Sequence, residues 1–157
     1  MTNTELRNLN AEALAFMGDA VWEQVVRERI LGEGTSRVDT LHRHTVRYVC
    51  APAQAAVIRT LFDELTEEEQ ALIRRARNHR YHSRAKHADL MTYKWASAFE
   101  ALAGYLHLSG RRERLDWLFG RAFALIEERP TDGRSMRPGT AERRNKGKRD
   151  VIGKEET

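Results

Sequence analysis

The chain has 157 residues, 41% hydrophobic and 32% charged, which suits one soluble domain with a sizeable core. It has no apolar run of the roughly 18–20 residues a membrane span needs, no signal-peptide pattern at Met1-Thr2-Asn3-Thr4-Glu5, and a lone cysteine, Cys50, too few for a disulfide framework or a cysteine zinc cluster; a reducing cytoplasm is expected. The net charge of +4 is unevenly shared: residues 1–70 carry seven Lys/Arg against twelve Asp/Glu and the remainder twenty against eleven, so the second half is expected to meet a polyanion.

The pattern predicts helices throughout. Asn10 caps a first helix over about 11–31, stopped by Gly32 and Gly34. Ser36, with Asp39 three residues on, opens a second to about Val49. Pro52 suits the first turn of a third, 52–64. Thr66 and Glu69 form a capping box for a fourth, 67–77. Asp89 caps a long fifth helix to Leu108, with Gly110 as its stop, and a sixth covers 111–128. No run alternates with period two, so the expected class is all-α, about six to seven helices in one domain over 1–130. Residues 131–157 are basic and nearly free of apolar side chains, and are expected to be a disordered tail.

Two acids stand out against this background. Asp19 interrupts the apolar run Leu14-Ala15-Phe16-Met17-Gly18-Asp19-Ala20-Val21-Trp22, and Glu100 interrupts Ala98-Phe99-Glu100-Ala101-Leu102-Ala103-Gly104-Tyr105. A charge on a buried helical face is costly unless it is paired, and neither acid has a cation nearby in sequence. A divalent metal between them is one solution. At about 100° per residue, Glu12 and Glu23 fall within about 20° and 40° of Asp19, so three carboxylates share a stripe. Glu12 and Glu23 fit a solvated face equally well. Carboxylates with retained waters are the ligands Mg²⁺ or Mn²⁺ prefer. Gly18 weakens its helix by about 1 kcal/mol, which suggests that a helix or ligand comes close there.

A basic segment follows. Arg74, Arg75, Arg77, Arg80, Arg84 and Lys86 occur within fourteen residues that hold no acid, with Asn78 and several histidines between them. Such a run is either a solvated face or a track for nucleic-acid phosphates. The six histidines lack a zinc-ligand pattern.

The stretch Phe16-Met17-Gly18-Asp19-Ala20-Val21 resembles the ribonuclease III signature, Phe-Leu-Gly-Asp-Ala/Ser-Val, and Phe99-Glu100-Ala101-Leu102-Ala103-Gly104 resembles that family's second acidic motif. More narrowly, Leu41-His42-Arg43, Tyr48-Val49, the Ala51 to Ala55 segment, Arg74 to Asn78 and Thr92 to Leu106 are similar, in collinear order over about 9–120, to the Mini branch of the family. The larger enzymes carry further acids where this chain has Ala15 and Ser97.

The resemblance implies a dimeric ribonuclease III-type catalytic domain without a double-stranded RNA-binding domain. It implies Mg²⁺-dependent cleavage of double-stranded RNA, with Mn²⁺ as a substitute, leaving 5′-phosphates, and maturation of the precursor of 23S ribosomal RNA. Asp19 and Glu100 would hold the metal, and Glu23 would orient or deprotonate water. Arg74, Arg75, Arg77, Asn78, Arg80, Arg84 and Lys86 would contact RNA, and Glu12, His42 and Arg43 would give support. The homodimer would meet across the signature helix, where Phe16, Met17 and Trp22 supply apolar surface; all three are equally acceptable as core. A non-catalytic RNA-binding or ribosome-assembly protein is the alternative, favoured by Ala15 and Ser97.

Overall fold

A computed structural model describes residues 1, 3–34, 37–78 and 87–129. Among the described residues there are seven α-helices and one short 3-10 turn, with no strand. They are α1 (Asn3–Asn8), α2 (Ala11–Gly32), α3 (Val38–Val49), α4 (Ala51–Leu61), the 3-10 turn Phe62–Glu64, α5 (Glu67–Arg77), α6 (His87–Leu108) and α7 (Arg112–Glu127). None of these helices is long and apolar enough to cross a membrane.

Local chemistry explains most boundaries. Asn10 Oδ1 accepts from the Ala13 amide at 2.8 Å and opens α2. Thr66 and Glu69 close a reciprocal capping box on α5. Gly34 and Gly110, at φ +87° and +71°, make the left-handed turns that follow α2 and α6. Three expectations need correction. Arg37 precedes α3 without a side-chain cap, while Ser36 lies outside the described residues. Asp89 sits inside the first turn of α6 rather than before it, where its charge still suits the helix dipole. The third helix ends at Leu61 and tightens into the 3-10 turn.

α6 is the axis of the fold, with α2, α4, α5 and α7 packed on it. Ala98, Phe99, Ala101, Leu102, Ala103 and Leu106 are all at most 1% exposed, so this part of α6 is buried around most of its circumference, with Glu100 and Tyr105 partly open. The alanines let neighbouring helices approach closely. Trp22 of α2 is fully buried; its ring centroid lies 5.4 Å from that of Phe99 and 4.9 Å from those of Phe119 and Phe123. Its indole N–H donates to the Tyr48 carbonyl at 3.2 Å, which fastens α3 to the same cluster.

The periphery is closed by ion pairs. Buried Glu69 accepts two hydrogen bonds from Arg114, at 2.8 and 2.7 Å, joining α5 to α7. Burial alone would raise the Glu69 carboxyl; Arg114 and the Thr66 amide outweigh it and hold the carboxyl below its ordinary range. Arg29 reaches Glu127 at 2.6 Å and lies over the Phe123 ring, joining α2 to α7.

Candidate active site

α2 and α6 cross closely at two glycines. A Cβ on Gly18 would overlap the carbonyl oxygen of Glu100, and one on Gly104 would overlap that of Leu14. The backbones of α2 and α6 therefore touch, and any larger residue would force them apart. Asp19 and Glu100 lie beside this contact, one on each helix. The crossing explains why a helix-weakening glycine stands in the middle of α2, and Gly104 is its counterpart on α6.

Both acids open on a cavity of about 290 Å³ lined by Glu12, Ala15, Phe16, Asp19, Tyr93, Ser97 and Glu100. Burial first, and then the charge of Asp19, pushes the Glu100 carboxyl up to about 7; the nearby Gln54 amide acts in the opposite sense. Asp19 is also raised, by burial and then by Glu23. Two carboxylates that each disfavour ionisation are poised to gain from a cation. The donors lining the cavity are hard oxygens, with no thiolate or imidazole among them, which fits a hard divalent ion keeping several waters. Among the described residues no group of three or more His, Cys, Asp or Glu side chains could hold a metal ion.

The premise that Asp19 occupies a buried face is corrected. The buried stripe of α2 is Leu14, Gly18, Trp22, Val26 and Ile30, while Asp19 itself is exposed at the cavity mouth. Phe16 beside it is 82% exposed, Met17 is half-buried and Trp22 is core. The apolar residues around Asp19 thus divide between core and surface.

The remaining candidates are scattered. Glu12 joins the cavity; Glu23, one turn beyond Asp19, does not line it and accepts two hydrogen bonds from Arg27. His42 lines a separate groove with Arg27, Ile30, Leu31, Val38, Leu41 and Thr45, against the far end of α2, and Arg43 is exposed. Arg74 lies over the Phe62 ring, with its guanidinium 5.4 Å from the centroid, and Arg77 over Trp95 at 4.9 Å; Asn78 caps α5. Arg75 lines a larger cavity of about 450 Å³ whose acid, Glu68, is paired with Arg111 at 2.7 Å. Arg80, Arg84, Lys86 and the 131–157 segment lie outside the described residues. Reading the sequence for acids alone missed Gln54, a polar side chain 2% exposed in an otherwise apolar stretch of α4. The signal that drew attention to Asp19, a polar group in an apolar run, was present there too.

An all-helical domain with paired carboxylates at a glycine-mediated crossing is matched by the model of the Ribonuclease III domain over residues 12–111. The chain belongs to the ribonuclease III family and is an endoribonuclease. Within that family it is similar to the Mini-ribonuclease 3 proteins. It is 49% identical to that of Symbiobacterium thermophilum over 114 residues, 73% of this chain and 88% of the relative. With that of Brevibacillus brevis the identity is 45%, over 75% and 88% of the two chains. A crystal structure of a protein from Fusobacterium nucleatum superposes with a TM-score of 0.67 at 29% identity, over 73% of this chain and 93% of that one. Between the readings left open by Ala15 and Ser97, family membership selects the enzyme.

Proposed function

We propose that the protein is a Mg²⁺-dependent endoribonuclease that cuts double-stranded regions of structured RNA, with Mn²⁺ able to replace Mg²⁺ and the 23S ribosomal RNA precursor as its substrate. The observation that carries the mechanism is the cavity that Asp19 and Glu100 share beside the Gly18–Gly104 crossing. These two carboxylates would hold the cation, with Glu12 at the cavity wall. A divalent ion held there would supply Lewis-acid stabilisation of charge on the scissile phosphate and would favour deprotonation of the attacking water. Water oxygen attacks phosphorus and the 3′-oxygen departs, so the products carry a 5′-phosphate and a 3′-hydroxyl. Glu23 is one turn away and is assigned the water proton, a role that requires it to leave Arg27.

Arg74, Arg75, Arg77 and Asn78, continuing into Arg80, Arg84 and Lys86, are assigned to the RNA backbone, which is read largely through phosphate and 2′-hydroxyl contacts. Arg77 rests on Trp95, five residues before Glu100 on the same helix, which keeps this basic end of α5 close to the helix of the catalytic acid. A homodimer would place two such sites on one duplex. The exposed Phe16 at the cavity mouth, with Tyr93 half exposed nearby, supports an interface on that side.

The test is cleavage of a 5′-labelled RNA duplex, with Mg²⁺ or EDTA, by the wild type and by Asp19→Asn, Glu100→Gln and Glu23→Gln. The first two are expected to lose at least about 100-fold in rate, the wild type to be silent in EDTA, and the third to slow by about 10-fold or more. Metal-independent cutting, or Asp19→Asn acting at the wild-type rate, would refute the assignment of the acids. An unslowed Glu23→Gln would remove that residue alone from the mechanism.

A further inference from the structure

Among the described residues, the one buried side-chain polar atom without a hydrogen-bond partner is the amide nitrogen of Gln54. Buried donors are almost always satisfied, because water has been lost and nothing has replaced it. Gln54 is 2% exposed on α4, between Ala53 and Ala55 and a turn before Val57 and Ile58. A leucine would fill such a place without leaving a donor unmet. α4 packs against α6, the helix of Glu100; Gln54 is near enough to that carboxylate to favour its ionised form, yet its amide closes no bond within 3.5 Å.

Asp19, Glu12 and Ser97 line the open cavity together with Glu100, whereas Gln54, 2% exposed, is absent from that lining. A carboxylate has two oxygens, so it can accept from an amide with one and still offer the other to a cation. A neutral amide N–H is a donor and not a cation ligand, so its part is to hold the carboxylate rather than to compete with it. Outer partners of this kind commonly orient metal-binding side chains.

We infer that Gln54 is a positioning residue, whose amide donates to one carboxylate oxygen of Glu100 and thereby turns the other toward a divalent cation in the cavity. The inference rests on the assignment of Asp19 and Glu100 as the metal-holding pair. It explains why an unmet donor is kept in the core: its acceptor is completed when the carboxylate is drawn into a fixed orientation.

The test is the affinity of the RNA-free protein for Mn²⁺, followed by electron paramagnetic resonance, together with thermal unfolding in EDTA. Gln54→Leu and Gln54→Met keep the approximate shape and remove the donor. Both are expected to bind Mn²⁺ about 10- to 100-fold more weakly while unfolding in EDTA at the wild-type temperature or above, since an apolar group replaces an unmet donor. A residue with only a packing role gives the reverse pattern, lower thermal stability with unchanged affinity, and that result would overturn the inference. Mn²⁺ affinity within twofold of wild type in either folded variant would overturn it too. Asp19→Asn separates the two levels of the argument. If it loses Mn²⁺ while the Gln54 variants keep it, only the role of Gln54 falls; if it binds as wild type does, the metal-holding pair falls and Gln54 with it.

Discussion

Without a cation, Asp19 and Glu100 repel each other at a partly desolvated cavity, and the cost falls on the folded state. A Glu100 carboxyl pushed up to about 7 from its ordinary 4.5 binds its proton more tightly when folded than when unfolded. Between about pH 4.5 and 7 the unfolded chain has therefore released a proton that the folded chain retains, and stability falls as pH rises. The loss is on the order of 3 kcal/mol and is complete above that window. Asp19, raised in the same direction, adds to it, and Glu12 is the other acid on the cavity. Glu69 acts oppositely: its lowered carboxyl stabilises the fold above the ordinary carboxylate range, and that contribution is lost in stronger acid. Urea unfolding in EDTA is thus expected to show a decline from pH 5 to 7 that saturating Mn²⁺ removes; a flat or rising metal-free profile would contradict the coupling. The pairing of these acids was legible in their motifs. The exposure of Asp19 was not, because Phe16, Met17 and Val21 are apolar whether they face the core, the cavity or another molecule.

The elements were largely readable, since caps and stops act locally. Asn10, Pro52, Thr66 with Glu69, and the glycines after α2 and α6 mark ends that the structure retains. α1 escaped notice because six residues hold too little periodicity to distinguish a helix from a turn. What no local pattern reveals is which helix meets which: Gly18 hinted at a close approach, but nothing in the chain names Gly104 as its counterpart. The pair gives a sharp expectation. Gly18→Ala and Gly104→Ala each gain about 1 kcal/mol of helix propensity and still lose stability by roughly 1–3 kcal/mol net from overpacking, with weakened Mn²⁺ binding because the acids separate. Gly120→Ala in α7, where a Cβ meets nothing within 4 Å, is the matched control and should stabilise by about 0.5–1 kcal/mol. Thermal unfolding of the three variants measures the contrast, and an equally tolerated alanine at Gly18 would mean that the crossing is looser than described.

For the whole molecule, the charge count sets an acidic first half against a basic second half, and the proposed roles follow it only in part: Asp19 stands on α2 in the acidic half, but α6 supplies Glu100 from the basic half. Association is the property least available from the sequence, since Phe16 suits an interface and a core equally until the fold leaves it 82% exposed. On the proposed homodimer, Phe16→Glu is expected to retain the wild-type helical content and unfolding temperature, to sediment as a monomer where the wild type sediments as a dimer, and to lose cleavage of both strands together. A monomeric wild type would refute the dimer, and a variant as dimeric as the wild type would place the interface elsewhere.

The meeting of α2 and α6 also sets where this site admits variation. Because peptide groups rather than side chains define the spacing at the crossing, there is no intermediate substitution by which that spacing can be adjusted in small steps: the smallest addition, one methyl, already collides. Side chains rather than peptide groups shape the cavity wall at Ala15 and Ser97. A designer seeking to reshape the proposed metal site should begin with those two residues and leave the glycines alone.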